Sequence, residues 1–131
     1  MGILLMIHSI VRWLIVIVGA VALVKFAVAL AQKSEFGKMD RGLSSGFSGL
    51  MDFQVTLGLL YFIITGIGGV GFPMYGVEHM VTMLLAATAG HAPAMFKKKG
   101  YNTFAVALAS VVVALLLVYV GVLRLPGGWS R

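Results

Sequence analysis

A chain of 131 residues has the length of one domain, but with 60% hydrophobic and only 11% charged residues it is not composed as a soluble domain of that size. It has no cysteine, which excludes disulfides, thiolate metal sites and thioether-attached haem. The net charge of +6 does not point to nucleic acid, because the basic residues are not laid on one face with aromatic partners; they gather in connections, as membrane topology requires.

With lipid as solvent, every backbone polar group must be satisfied internally, so spans are helices or a closed barrel. The apolar runs are continuous rather than alternating, which predicts helices. The first run, Ile3 to Ala31, exceeds the ~20 residues that cross a hydrocarbon core of about 30 Å. It is too long for a signal peptide, contains Arg12 and is followed by no small-residue cleavage site, so it reads as a mature helix. The connection from Gln32 to Ser48 carries Lys33, Lys38 and Arg41 with Glu35 and Asp40.

The second run extends from Gly49 to Val70. It ends in GIGGVG, Gly66 to Gly71, which formally matches G-x-G-x-x-G but neither follows a strand nor opens a helix, so it reads as a helix stop and outer turn. The third run, Val77 to Phe96, leads into Lys97, Lys98 and Lys99, and the fourth is Tyr101 to Leu123. Gly19, Ala20, Gly58, Ala86, Ala87 and Ala89 fit close helix packing. Basic residues mark the first and third connections and are absent from Gly66 to Gly76, which places both termini on the outer side. The expectation is an all-α fold: a single membrane domain over 1–131, built as a four-transmembrane-helix up-down bundle.

The stretch IHSIVRW puts His8 and Arg12 one turn apart in the first helix. Ionisable groups inside a span are costly and mark functional sites by default. Measured from Lys25 and Lys97, His8 and His79 lie about 26 and 27 Å above the inner boundary at 1.5 Å per residue. They are therefore nearly level, near the outer surface, on two helices running in the same direction. Two imidazoles so placed suit the axial positions of one haem iron, and bundles build such sites from facing helices. Arg12 shares a face with His8, and its side chain tilts toward the outer side, where it can pair a propionate. Ser9, Tyr75 and Glu78 are candidates for a polar rim, with Trp13 beside the ring. The same residues also allow a structural arrangement in which Arg12 pairs with Glu78 and the histidines make interfacial hydrogen bonds.

His91 sits about 9 Å above the inner boundary and about 18 Å along the helix from His79. No second histidine lies at that depth, so a second bis-histidine haem is excluded. Asp52 is its expected polar partner, with Gln54 nearby in sequence; the pair suits a proton relay, a quinone head-group site or a plain helix-helix hydrogen bond. A further reading comes from EHMVTM, where His79 and Met83 are at i, i+4 with Met80 adjacent, and from Met6 near His8. Thioethers with imidazoles suit Cu(I), whereas methionine is also an ordinary filler of apolar interiors.

Together IHSIVRW, MDFQVTLGLLYF and VEHMVTMLLA resemble a group of small four-helix bacterial inner-membrane proteins labelled cytochrome b or cytochrome b-like. The resemblance runs from His8 and Arg12 through Asp52 and Gln54 to Glu78 and His79 and includes a basic loop after the first helix. It implies a multi-pass protein of the bacterial cytoplasmic membrane, with His8 and His79 as ligands of one haem b. A lone haem near one surface passes electrons to a partner on that face and does not by itself carry them across the membrane.

Two functions follow as expectations. One is an integral membrane electron carrier or redox subunit holding that haem, with Arg12 stabilising propionate charge. The other is a non-catalytic accessory subunit of a larger respiratory or photosynthetic membrane complex, or a homo-oligomer, in contact with the bilayer. Copper handling ranks below both. An independent enzyme has no support in the sequence: it shows no nucleophile with base and orienting acid, and no H-E-x-x-H cluster. The paired broken segments of many carriers are also missing.

Overall fold

The computed structural model describes residues 2–33, 35–96 and 103–130. The described residues form helices and turns: α1 (Gly2–Ala31), α2 (Lys38–Thr65), α3 (Met74–Gly90), α4 (Ala92–Phe96) and α5 (Thr103–Leu123). A wider turn over Gly66–Val70 closes α2, and a single 3-10 turn, Gly128–Ser130, ends the described residues. Three segments are long and apolar enough to cross a membrane: Gly2–Ala31, Lys38–Val70 and Phe104–Leu123. The Lys97 to Lys99 run lies outside the described residues.

α1 packs against α2 and α5, and α3 packs against the same two neighbours. Adjacent helices run antiparallel. Lys25 late in α1 meets Asp40 early in α2, whereas His8 early in α1 meets Gln54 further along α2. α1 and α3 therefore face each other diagonally across the interior. The core along this axis is Ile15, Phe47, Met51, Ala86, Val111 and Ala114, while the outward faces are apolar, with Ile10, Ile17, Val24, Leu84 and Leu116 exposed. Such faces suit contact with a lipid bilayer.

Small residues set the spacing. A Cβ at Gly19 would lie 2.8 Å from Leu115 Cδ2 and 3.0 Å from Phe47 Cε1, so the glycine is what lets α5 and α2 close on α1. Toward the other end of α1, Phe26, Phe36 and Phe104 form an aromatic cluster with centroids 4.9 to 6.1 Å apart.

The larger departures from the sequence expectation are at two boundaries, and α3 also opens at Met74 rather than at Val77. α2 begins at Lys38, well before Gly49, so much of the expected basic connection is helical. Asp40 explains this locally: its carboxylate accepts the Gly37 N–H at 2.9 Å and pairs with Lys25 Nζ at 2.9 Å, capping the first turn and tying it to α1. The third run is broken at His91, which ends α3 at 17 residues. Pro93 has no N–H for the Ala89 carbonyl and its ring crowds that oxygen. The freed carbonyl is taken by the Ser110 hydroxyl of α5 at 2.7 Å, so this acceptor is not left unmatched by the break.

Candidate functional site

The termini of α1 and α5 and the turn between α2 and α3 meet at one end of the fold. There a cavity of about 230 Å³ opens, walled by His8, Arg12, Tyr61, Tyr75, His79 and Met80 among others. It narrows inward to a space of about 20 Å³ that shares His8, Arg12 and His79 and adds Met51, Gln54 and Met83. His8 and His79, separated by most of the chain and carried on diagonal helices, thus face one interior space. Ser9 also lines it.

Each histidine is held by its surroundings. The His79 Nδ1 stands 3.2 Å from the Gly121 carbonyl oxygen. A carbonyl only accepts, so Nδ1 carries the proton and the lone pair of the neutral ring is on Nε2. Metal-binding histidines are oriented in this manner by a backbone acceptor. His8 packs closely against Gly58: a Cβ there would stand 3.0 Å from His8 Nε2 and 3.9 Å from Met80 Sδ. Any larger residue at 58 would displace the imidazole. The helix that carries His8 is fixed in register by Gln54, whose Nε2–H donates to the His8 carbonyl at 2.7 Å. Gln54 Oε1 is buried with no hydrogen-bond partner among the described residues. It lines the inner space, which is large enough for one water.

Arg12 is 7% exposed. Its guanidinium carbon sits 5.5 Å from the ring centroids of both Trp13 and Trp129, so two indole faces offset part of the cost of burying the cation. The chain end folds back to supply Trp129, whose Nε1–H donates to the Tyr119 carbonyl at 3.2 Å. Glu78 lies apart from this cavity lining. It pairs with Arg124 at 3.1 Å, and that contact replaces the Arg12–Glu78 pair offered by the sequence.

A second polar cluster lies at the opposite end, where α2 passes the break between α3 and α4. His91 Nε2 stands 2.9 Å from one Asp52 carboxylate oxygen and 3.0 Å from the other, joining the two residues expected to pair. Ser48 Oγ lies 3.0 Å from Nδ1 and 3.2 Å from Nε2 of the same ring. A serine nearly equidistant from both nitrogens does not lie along either lone pair, so this Ser, His and Asp lack the alignment of a hydrolytic triad. Gln54, near Asp52 in sequence, faces α1 instead.

Sequence reasoning missed Ser48, Met51, Tyr61, Ser110 and Trp129. Ser48 carried a usable signal, one turn before Asp52 on the same helix. Trp129 carried none, since its place depends on the fold-back of the chain end. Among the described residues no group of three or more His, Cys, Asp or Glu side chains is arranged to hold a metal ion. Comparison of the chain with family models, with curated proteins and with solved structures finds no match.

Proposed function

We propose that the chain is a four-span membrane protein, both termini outward, that holds one b-type haem between His8 of α1 and His79 of α3 and serves electron transfer on that face. The observation that carries this reading is that His8 and His79 line one cavity together with a buried arginine. A haem carries iron that takes two imidazoles and propionates that need a cation, and this residue set offers both. The sequence resemblance to small cytochrome b-like proteins of the bacterial inner membrane supports the same reading.

The donor set fits better than the space. About 230 Å³ is below the ~300–1,000 Å³ usual for ligand sites, so a macrocycle requires Tyr61, Phe62 and Tyr75 at the rim to turn outward. His79 would bind through Nε2 with Nδ1 held by Gly121, His8 would bind from the opposite helix over Gly58, and Arg12 would neutralise propionate charge. The iron would supply one-electron exchange with a partner complex.

The test is a dithionite-reduced minus oxidised spectrum with pyridine haemochrome quantification on protein from haem-replete membranes. About one b-haem per chain is expected, lost in His8→Ala and His79→Ala and kept in His91→Ala. A folded, haem-replete preparation without a b-type band would sink the proposal.

One observation favours a second reading. The inner end of the cavity is walled by Met51, Met80 and Met83 beside both histidines, a soft donor set suited to Cu(I). Arg12 in the same wall opposes a bare cation, which ranks this reading below haem. Copper retained by wild type and lost in Met80→Leu, with no haem band, would reverse that order.

A further inference from the structure

The groove at the α2 and α4 end is separate from the histidine cavity. It has a volume of about 520 Å³ and is lined by Arg41, Ser44, Ser45, Ser48, Asp52 and His91 among others. A second cleft of about 360 Å³ shares Asp52 and His91 with it and continues between α2 and α3 past Val55, Leu84 and Ala87. Together they form one path, polar at one end and apolar at the other, with the Asp52–His91 pair at its waist.

The polar end presents donors. Asp40, the acid nearest Arg41 in sequence, is buried and committed to Lys25 and the Gly37 N–H. Asp52 is committed to His91. The side chains of Arg41, Ser44 and Ser45 make no hydrogen bond or ion pair with the described residues. One guanidinium and neighbouring hydroxyls, one turn apart on a helix, match the oxygens of a phosphate. The apolar end is drier than its composition suggests: Thr56 and Thr88 donate their hydroxyls to the Asp52 and Leu84 carbonyls at 2.9 and 2.8 Å, which satisfies both hydroxyls within their own helices.

We infer that this path is a binding site for an anionic phospholipid, its phosphate on Arg41, Ser44 and Ser45 and an acyl chain in the cleft between α2 and α3. The apolar continuation selects an amphiphile over free phosphate. The half-exposed Asp52–His91 pair, with side chains 52% and 45% exposed, is costly against hydrocarbon. The lipid's ester carbonyls lie at that level and replace hydrocarbon with acceptors beside the His91 ring, while the Asp52 carboxylate stays paired with His91.

The experiment is native mass spectrometry of the full chain in detergent, with phosphatidylglycerol or phosphatidylcholine added at matched concentrations. Wild type is expected to retain one phosphatidylglycerol roughly tenfold better than phosphatidylcholine, a typical preference for one charged, hydrogen-bonded contact. Arg41→Gln and the double variant Ser44→Ala/Ser45→Ala are expected to lose that preference. Lys33→Gln, an equal loss of charge away from the groove, is expected to keep it. Equal retention of the two lipids, or an unchanged preference in Arg41→Gln, overturns the inference. Displacement of phosphatidylglycerol by inorganic phosphate, with phosphate itself retained, overturns the lipid in favour of the free anion.

Discussion

His79 on α3 gives its Nδ1 proton to the backbone carbonyl of Gly121 on α5 at 3.2 Å, so the orientation of one cavity histidine is set by the closeness of two helices. That closeness depends on the glycine. A Cβ at position 121 would run into Met83 Cε and stand 3.2 Å from Thr82 Cγ2. Met83 Cε is the free end of a flexible side chain and can swing aside, so Gly121→Ala is expected to cost about 1 kcal/mol by crowding Thr82 and repacking Met83 and to loosen His79. Gly46→Ala on α2, where an added Cβ meets nothing within 4 Å, is expected to be neutral or to stabilise by up to ~1 kcal/mol through helix propensity. Thermal unfolding in detergent checks both, and equal effects at the two positions would refute the packing argument.

The break between α3 and α4 is a three-residue relationship among Pro93, Ala89 and Ser110. Ser110→Ala removes the donor that satisfies the Ala89 carbonyl and is expected to cost about 1–2 kcal/mol. In a Pro93→Ala background the residue at 93 regains an N–H that can bond the same carbonyl. Ser110→Ala should then cost less, by at least about 0.5 kcal/mol in a double-mutant cycle. Additive losses would mean that the hydroxyl does not compensate for the proline.

How much was legible follows from which signals are local. Continuous apolar runs announced helices that suit a bilayer, because satisfying the backbone in lipid leaves few alternatives. Counting rise per residue placed His8 and His79 at one depth, and they face one cavity. Helix periodicity does not say which neighbours touch, so the Glu78–Arg124 pair, the Ser110 bond to Ala89 and the arrival of Met51 beside the histidines depended on tertiary packing. The early start of α2 was hidden by its glycines and serines, which read as a loop although Asp40 caps and anchors that turn. The break at His91 was readable from Pro93, two residues on.

Asp40 does two jobs that substitution can separate. Asp40→Asn keeps an oxygen for the Gly37 N–H but loses the charge opposite Lys25. Its cost is expected to be about 1 kcal/mol or less, since the Lys25 side chain is 38% exposed and solvent screens the pair. Asp40→Ala loses the cap as well and is expected to cost about 1 kcal/mol more. Raising the salt concentration should shrink the first effect and leave the difference between the two variants unchanged. Thermal unfolding at low and high salt measures both, and a salt-sensitive difference would show that the cap is not the separable part.

Arg12 lies beside the chain's two tryptophans, its guanidinium carbon 5.5 Å from each ring centroid and the centroids 5.7 Å apart, so intrinsic fluorescence reports on this one place. Trp129→Phe keeps an aromatic face for the guanidinium and loses the hydrogen bond to the Tyr119 carbonyl. Trp129→Ala loses both and is expected to destabilise by about 1 kcal/mol more, the usual worth of a partly desolvated cation–π contact. In an Arg12→Leu background the phenylalanine and alanine variants should differ by less, because no cation remains to be shared. Both indoles flank an arginine that lines the histidine cavity. Stoichiometric haemin added to wild type is therefore expected to quench most of the emission, and His79→Ala to abolish the quenching. Emission indifferent to haemin in protein that shows a b-type band would put the haem elsewhere in the fold, while leaving the Arg12 and tryptophan contact to be judged by its own cycle.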